Sequence, residues 1–315
     1  MIPSWRDVQR YLTLRRRLGF KLKVDERHLR SFVAFLSERK ANRITPKLVL
    51  NFATQHRHLS RGAWVQRFSA VRAFAQHWHG FDRETEVPPA GLLRCPSKRA
   101  RPRICSQPEI VRLLSIARGG RPSRTHGLKP ATTYTLLGLL VVTGLRIGEA
   151  LRLQSIDIDG KEGLLRIKDT KFGKSRLVPL HCSTLRRLKR YARQRDDYLK
   201  KTGRQSGSTF FVTNRGTPMG DSNMRASFRD LVRKAGLLAD GRPAPRLHDL
   251  RHRFAVETLR RWYLSGENVE QRLPALSTYL GHVNVEATYW YLSCTPELRA
   301  AVAARVEARW KGVGP

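Results

Sequence analysis

A proline-rich, basic stretch most restricts how this 315-residue chain can fold. It reads VPPAGLLRCPSKRARPRICSQPE at 87–109, with five prolines and little apolar periodicity. Proline fixes φ and removes a backbone donor, and the residue before it avoids the helical region, so neither a long helix nor a central strand should cross this stretch. We therefore predict an extended linker between two domains.

The boundaries follow from the patterns on either side of this stretch. We place a helical domain at 1–90, the linker at 91–106 and a second domain at 107–315. The segment Ser-Gln-Pro-Glu at the end of the linker is typical of a helix start, because Glu109 lies three residues after the cap Ser106. The basic side chains of the linker are candidates for contacts with phosphate: Lys98, Arg99, Arg101 and Arg103.

The first domain has apolar residues three or four apart in each of four arginine-rich segments. These predict helices at 5–18, 25–40, 46–58 and 62–79. Thr45-Pro46 fits a cap followed by a first-turn proline. The domain is expected to be a compact helical unit, either a plain bundle or one that binds a partner.

The sequence patterns of the second domain predict a mainly α fold with a small antiparallel β-sheet. Helical patterns cover 107–118 and 131–152. The sheet is predicted from three short alternating segments, QSIDID, LLRIKD and SRLVPL, which are separated by glycines. A further strand is possible at FFVT, 210–213. The remaining helices are predicted at 183–201, 221–236, 246–264, 273–280, 284–292 and 296–310.

The charge of the chain indicates the kind of partner. A formal net charge of +36, spread over the whole length, favours a polyanion such as nucleic acid. A solvated basic surface and an acidic membrane surface are weaker alternatives. The longest apolar run, LLGLLVV at 136–142, is too short for the roughly 18 residues that span a bilayer. The N-terminus has no apolar signal region, so we expect a cytoplasmic protein, associated with the nucleoid if DNA is its partner.

The cysteines and histidines do not predict a metal site. Four cysteines lie far apart with no C-x-x-C pair, which argues against structural zinc and against a disulfide framework. The HRH and HWH segments, at 56–58 and 77–79, lie in basic helical regions, where solvent or phosphate is the more common neighbour. We therefore expect no metal and no cofactor.

Three segments of the second domain could carry chemistry, although each alone is weak evidence. TGLRIGEAL at 143–151 places Arg146 near a helix start with Glu149 one turn later. HDLRHRFA sets His248 and Arg251 three apart on one helix face. LGHVNVEATYWYL at 280–292 carries a Leu-Gly-His turn and then two tyrosines, which point roughly 200° apart on a helix, so both cannot face one site.

Taken together and in this order, the segments resemble the tyrosine recombinase family, which comprises the phage integrases and their relatives. The family pattern is an arginine in T-G-L-R-x-x-E, a lysine in a β-hairpin, H-x-x-R, L-G-H, and a tyrosine nine residues after that last histidine. The matching positions, over about 107–300, are Arg146 with Glu149, Lys171, His248, Arg251, His282 and Tyr291. The helical domain and linker also look like the family's core-binding domain ahead of its catalytic domain.

The resemblance implies a site-specific DNA recombinase that cleaves and rejoins DNA through a 3′-phosphotyrosyl intermediate. Tyr291 would be the nucleophile, His248 the acid/base group and His282 a donor to the phosphate. Planar guanidinium groups suit the non-bridging phosphate oxygens, which is the role expected of Arg146 and Arg251.

Glu149 is expected to orient a catalytic neighbour. The hairpin lysine would protonate the departing 5′ oxygen. Lys168, Lys171 and Lys174 all lie in the turn region, and the register of SRLVPL favours Lys171.

Partners also follow from the resemblance. Double-stranded DNA is expected between the two domains, mostly in contact through its phosphates. The tail TPELRAAVAARVEARW is amphipathic and either packs on its own domain or docks on a neighbouring protomer in a tetramer, or on a related recombinase. STYLGH and TYWYL look most like transposon-borne recombinases, including those found as adjacent trios.

Two other functions compete with this prediction. An accessory DNA-binding factor could keep the fold without cleaving, but all the expected positions are occupied here. A type IB topoisomerase uses similar chemistry, but the Leu-Gly-His turn and the chain length favour a recombinase. The target sequence, the directionality and the partner recombinases are not predicted.

Overall fold

A computed structural model describes residues 2–94, 102–119, 127–168, 175–238, 241–282, 286–293 and 296–311. The chain forms two compact units, Met1–Arg99 and Ala100–Pro315, called here the first and second units. Within the described residues, no helix is long and apolar enough to cross a membrane.

The first unit is a bundle of four helices, each with one apolar face. Side-chain caps begin three of them, with Ser4, Thr45 and Ser60 each accepting a backbone hydrogen bond. Its core holds the fully buried phenyl rings of Phe32, Phe52 and Phe74. The helices are α1 Trp5–Arg17, α2 Lys23–Glu38, α3 Pro46–Thr54 and α4 Arg61–Trp78.

The second unit is mainly helical and contains the expected three-stranded antiparallel sheet, whose strands are neighbours in chain order. In its register, Leu165 pairs with Val178 and Ile167 pairs with Arg176. The strands are β1 Ile158–Asp159, β2 Leu164–Ile167 and β3 Arg176–Pro179. The helices are α5 Gln107–Arg118, α6 Lys129–Thr143, α7 Ile147–Leu151, α8 Cys182–Lys201, α9 Asp221–Lys234, α10 Leu247–Leu264, α11 Val269–Leu280, α12 Glu286–Tyr289 and α13 Pro296–Lys311.

Several elements differ from their predicted form because tertiary contacts override local pattern. The helix expected at 131–152 breaks at Gly144, which has a left-handed φ of +61°. FFVT at 210–213 is not a strand, since this part of the chain makes only single bridges, Gln154 with Thr209 and Val212 with Pro218. The segment expected as one helix at 284–292 is the short α12 followed by a 3₁₀ turn, Trp290–Ser293.

The second unit includes the last residues of the predicted linker. Ile104 and Cys105 pack in the hydrophobic clusters of the second unit, so the chain is already folded there. Arg103 is buried, and its guanidinium donates to the carbonyls of Leu237 and Pro243 and to Glu109. The guanidinium of Arg103 is therefore already held by protein acceptors, and its predicted contact with phosphate stays a prediction.

Two clusters of buried side chains form the core of the second unit. The larger one joins α5, α6, the sheet, α8 and α9. The smaller one joins the C-terminal half of α10 to α11 and includes Tyr291 and Leu298. Helix α10 contributes to both clusters, since Leu247 and Leu250 belong to the larger one. Its first two turns carry His248 and Arg251.

Candidate active site

Arg146 is held by a buried acid and by a backbone carbonyl. It is the cap residue of α7, and its Nη1 donates to Oε1 of Glu149 at 2.9 Å. Its Nη2 donates to the carbonyl of Gly281 at 2.9 Å. The Arg146 side chain keeps 33% exposure whereas that of Glu149 keeps 2%. Glu149 therefore fixes one edge of a guanidinium that is still open to a ligand.

Arg251 is almost completely buried, at 2% exposure. Its Nη1 donates to the carbonyl of Gly144 at 2.9 Å, and its Nη2 donates to the carbonyl of Leu280. Burial, and secondarily the nearby Arg146 cation, lowers the pKa of Arg251 to about 10. The group is still a cation at neutral pH, and it is oriented by two carbonyls that belong to different helix ends.

The two arginines converge on one turn. Leu280 and Gly281 are adjacent, and their carbonyls accept from Arg251 and Arg146 respectively. Gly281 ends α11 with a left-handed φ of +67°, a conformation that favours glycine. This turn leads directly to His282, so the Leu-Gly-His motif joins the two carbonyls that anchor the arginines to a histidine.

His248 lies on the first turn of α10, at the surface of the unit. Desolvation by the surrounding protein and the Arg251 cation lower the pKa of His248 below its usual 6.5. Arg146 acts on it in the same direction. The imidazole is therefore neutral near pH 7, as a group that accepts a proton must be.

His282 and Tyr291 form the other side of the site. Nδ1 of His282 lies 2.7 Å from Oγ1 of Thr288, which restrains the ring. The ring centroids of His282 and Tyr291 are 6.1 Å apart and nearly parallel, at 22°. Tyr291 is 2% exposed and Tyr289 is 51% exposed. The structure thus separates the two phenols, since Tyr291 is buried and Tyr289 lies at the surface.

Sequence reasoning did not identify His252 as part of this site. Its Nδ1 lies 3.2 Å from the phenol oxygen of Tyr291, and its ring meets that of His248 edge-on at 4.5 Å. Trp290 packs on the same ring, with the two ring centroids 5.4 Å apart. His252 follows Arg251 in sequence and lies one helical turn after His248, so the spacing of i to i+4 was the available signal.

Arg176 is the second functional side chain that sequence reasoning missed. It begins β3 and donates from Nη2 to Oε2 of Glu149 at 2.8 Å. Arg176 and Val178 face inward on this strand whereas Leu177 is exposed. An arginine on the inward face with a leucine outside reverses the usual alternation, and that reversal was the available signal.

Most of the remaining predicted residues fall outside the part of the chain that the structure describes. Lys171 and Lys174 lie outside the described residues, as do Lys98, Arg99 and Arg101. Lys168 is described, and its Nζ lies 2.6 Å from Oδ1 of the buried Asp157. Within the described part of the chain, no group of three or more His, Cys, Asp or Glu side chains is arranged to hold a metal ion.

Two oriented guanidinium groups, three imidazoles and a buried phenol can bind a phosphodiester and attack it. Together with the fold, they define a tyrosine-type site-specific DNA recombinase. The chain belongs to the phage integrase family, whose model matches residues 105–297.

Relatives cover nearly the whole chain. It is 43% identical over 307 residues to "Putative integrase/recombinase y4rB" of Sinorhizobium fredii, covering 96% of this chain and 97% of that protein. It is 30% identical over 295 residues to tyrosine recombinase XerD of Mycobacterium tuberculosis, covering 92% and 85% of the two chains.

Solved structures of low identity share the fold. The XerH site-specific recombinase in a post-cleavage complex with its palindromic difH substrate has a TM-score of 0.65 at 19% identity, over 97% of this chain and 85% of that chain. The Tn1549 transposon integrase in complex with transposon right end DNA has a TM-score of 0.62 at 16% identity, over 95% and 98%.

Proposed function

We propose that this recombinase cleaves and rejoins double-stranded DNA through a covalent 3′-phosphotyrosyl intermediate, with Tyr291 as the nucleophile. The observation that carries the proposal is the anchoring of two guanidinium groups on adjacent carbonyls, those of Leu280 and Gly281. Fixed donors of this kind stabilise a pentacoordinate phosphorus, because the non-bridging oxygens gain charge in the transition state.

The reaction keeps the energy of the phosphodiester bond in the phosphotyrosine bond that replaces it. The Tyr291 oxygen forms a bond to the scissile phosphorus, the bond from phosphorus to the 5′ oxygen breaks, and the phenol proton goes to a base. The 5′ oxygen leaves as a hydroxyl after it receives a proton. A 5′ hydroxyl from a partner strand then attacks the phosphotyrosine by the same steps in reverse, so no external energy source is required.

Arg146 and Arg251 have different tasks in this scheme. Arg251 is buried with two N–H groups already committed to carbonyls, so it supplies a rigid cation close to the phosphate. Arg146 is one-third exposed and can meet the incoming DNA directly. Each guanidinium provides charge and fixed N–H directions, and together these bind phosphate oxygens more strongly than a flexible ammonium does.

Proton transfer falls to His248 and to a hairpin lysine. The lowered pKa of His248 keeps its imidazole neutral and able to accept a proton. His282 is a hydrogen-bond donor to the phosphate. Lys171 is our choice for the acid that protonates the 5′ oxygen, and the ion pair of Lys168 with Asp157 supports a lysine other than Lys168.

The biological setting is also a proposal. The similarity to an integrase/recombinase over the whole length supports DNA integration or transposition by a mobile element. Basic side chains would hold the phosphates of the duplex, with Lys98, Arg99 and Arg101 among them. Recombination between two sites requires four strand cleavages, which favours a tetramer of this chain, alone or with related recombinases.

A covalent trapping experiment tests the proposal. The protein is incubated with a library of nicked suicide duplexes whose central base pairs are randomised, and adducts resistant to SDS are recovered and sequenced. The wild type and Tyr289→Phe should give adducts enriched for one sequence, and Tyr291→Phe should give none. The proposal fails if the wild type gives no adduct above the Tyr291→Phe background, or if the adduct depends on Tyr289.

A further inference from the structure

Arg176 occupies a place that the proposed chemistry does not use directly. It is the first residue of β3, and its side chain is 10% exposed. The side chain leaves the sheet and extends between α7 and the end of α11. It therefore connects three separate elements of the second unit.

Its contacts are those of a bidentate clamp on the acid that holds Arg146. Nη2 of Arg176 donates to Oε2 of Glu149 at 2.8 Å, and Nη1 donates to Oε1 at 3.2 Å. The same two oxygens accept from Nη1 and from the backbone N–H of Arg146. One buried carboxylate is thus shared by two guanidinium groups.

Arg176 also holds the other anchor of Arg146. Its Nε donates to the carbonyl of Tyr279 at 2.7 Å, in the last turn of α11. Two residues later, the carbonyl of Gly281 accepts from Nη2 of Arg146. A Cβ atom at Gly281 would lie 2.9 Å from Nη1 of Arg176 and 3.4 Å from Nη1 of Arg146, so the turn is closely bounded by both groups.

The two arginines differ in what they can reach. Arg146 keeps one-third of its side-chain exposure whereas Arg176 keeps one-tenth. Arg176 donates from Nε, Nη1 and Nη2 to protein acceptors, so it is not placed as a ligand of the phosphate itself. The pairing with Arg176 also leaves the pKa of Glu149 lowered in spite of its burial, so the carboxylate stays charged.

We propose that Arg176 is a positioning residue for phosphate binding: by clamping Glu149 and the end of α11, it sets the direction in which Arg146 meets the scissile phosphate. This inference rests on the proposed function. It assigns Arg176 to the half of the reaction that stabilises the phosphate, and not to the half that protonates the 5′ oxygen, although its strand continues from the hairpin that carries Lys171.

The test compares Arg176→Lys with wild type in single-turnover cleavage of a suicide duplex recovered by Tyr291-dependent trapping. Lysine keeps the charge but lacks the planar fork with which Arg176 donates to both oxygens of Glu149 and to the carbonyl of Tyr279. Three versions of the duplex are used: the ordinary phosphodiester, a neutral methylphosphonate at the scissile position, and a 5′-bridging phosphorothiolate, whose leaving group needs no acid.

We expect Arg176→Lys to slow cleavage of the ordinary duplex by about 10- to 100-fold, with duplex affinity changed by less than about 3-fold. The defect should shrink on the methylphosphonate, because the charge that Arg146 neutralises is absent there. It should persist on the phosphorothiolate. Arg146→Ala should show the same profile and Lys171→Ala the opposite one, while Arg225→Lys, on an exposed ion pair of α9, should behave as wild type.

Two results would overturn the inference while the proposed function stands. One is wild-type cleavage by Arg176→Lys. The other is an equal loss on all three duplexes together with a lower melting temperature, which would assign Arg176 a purely structural role. If the wild type gives no Tyr291-dependent adduct, the proposed function fails and this inference fails with it.

Discussion

Nδ1 of His252 lies 3.2 Å from the phenol oxygen of Tyr291. The contact is buried, and it joins the second turn of α10 to the 3₁₀ turn that carries Tyr291. A hydrogen bond at this position restricts where the phenol oxygen can point before DNA arrives. It also offers the phenol proton an acceptor, if the ring carries its hydrogen on Nε2.

This contact predicts that His252→Phe slows covalent adduct formation. Phenylalanine keeps the aromatic packing against Trp290 and His248 but cannot form a hydrogen bond. We expect a loss of about 100-fold in the cleavage rate, the lower end of the range for a positioned proton acceptor. Single-turnover cleavage of the trapped duplex measures it.

The matched variant is His252→Asn, whose amide lies close to where Nδ1 lies in histidine. It should recover most of the lost rate. Equal rates for wild type and His252→Phe would show that the contact has no part in the reaction.

A second prediction concerns the pH dependence of cleavage. The pKa of His248 is lowered below 6.5 by desolvation and by Arg251, so the neutral base persists as the pH falls through 6.5. The acid limb of the cleavage rate should therefore lie below about pH 6.5, and it should be absent in His248→Gln. The rate is measured under single-turnover conditions across the acid range, and an acid limb above 6.5 would contradict the assignment.

A third prediction concerns the buried carboxylate. Glu149→Gln should lower the free energy of unfolding by about 3 kcal/mol near pH 7, because it removes the charge that two arginines share. The folded-state pKa of Glu149 is lowered, so its contribution is present above the unfolded pKa of about 4.5 and is lost as the pH falls through the folded value. The difference between wild type and variant should therefore shrink in acid.

Urea denaturation at neutral and acidic pH checks this prediction. Glu162→Gln, on an exposed turn, is the matched control and should leave the free energy of unfolding almost unchanged at both pH values. The prediction fails if, at neutral pH, Glu149→Gln changes the free energy of unfolding as little as the control does. The contacts of Glu149 with the two arginines would then add nothing to stability.

A fourth prediction separates two glycines of α6. Gly144 ends the helix at φ +61°, and a Cβ there would lie 2.6 Å from Cδ1 of Phe254. Gly144→Ala should lower the free energy of unfolding by more than about 1 kcal/mol and displace the carbonyl that receives Arg251, so cleavage should fall as well.

Gly138 provides the control within the same helix. A Cβ at Gly138 would meet only Cδ2 of Leu114, at 4.0 Å, so Gly138→Ala should raise stability by about 0.5–1 kcal/mol with cleavage unchanged. Thermal unfolding of both variants is the measurement. Equal effects at the two positions would contradict the strain argument.

The sequence by itself determined the helical character of both units, the antiparallel sheet and the family. Helices follow from apolar residues spaced three or four apart, and the sheet follows from alternation between glycines; both are local patterns that a reader of the sequence can see. The motif residues that the structure brings together, from Arg146 to Tyr291, were found through their order and spacing.

Only the tertiary structure decided how these residues are held. Arg176 and His252 act through partners far away in sequence, Glu149 and Tyr291, and no local pattern records such a contact. The same reason explains the position of Arg103, where a basic side chain in a proline-rich stretch is buried and donates to the carbonyl of Leu237. Charge and periodicity specify what a segment can do, whereas burial and hydrogen-bond partners depend on which distant segments pack beside it.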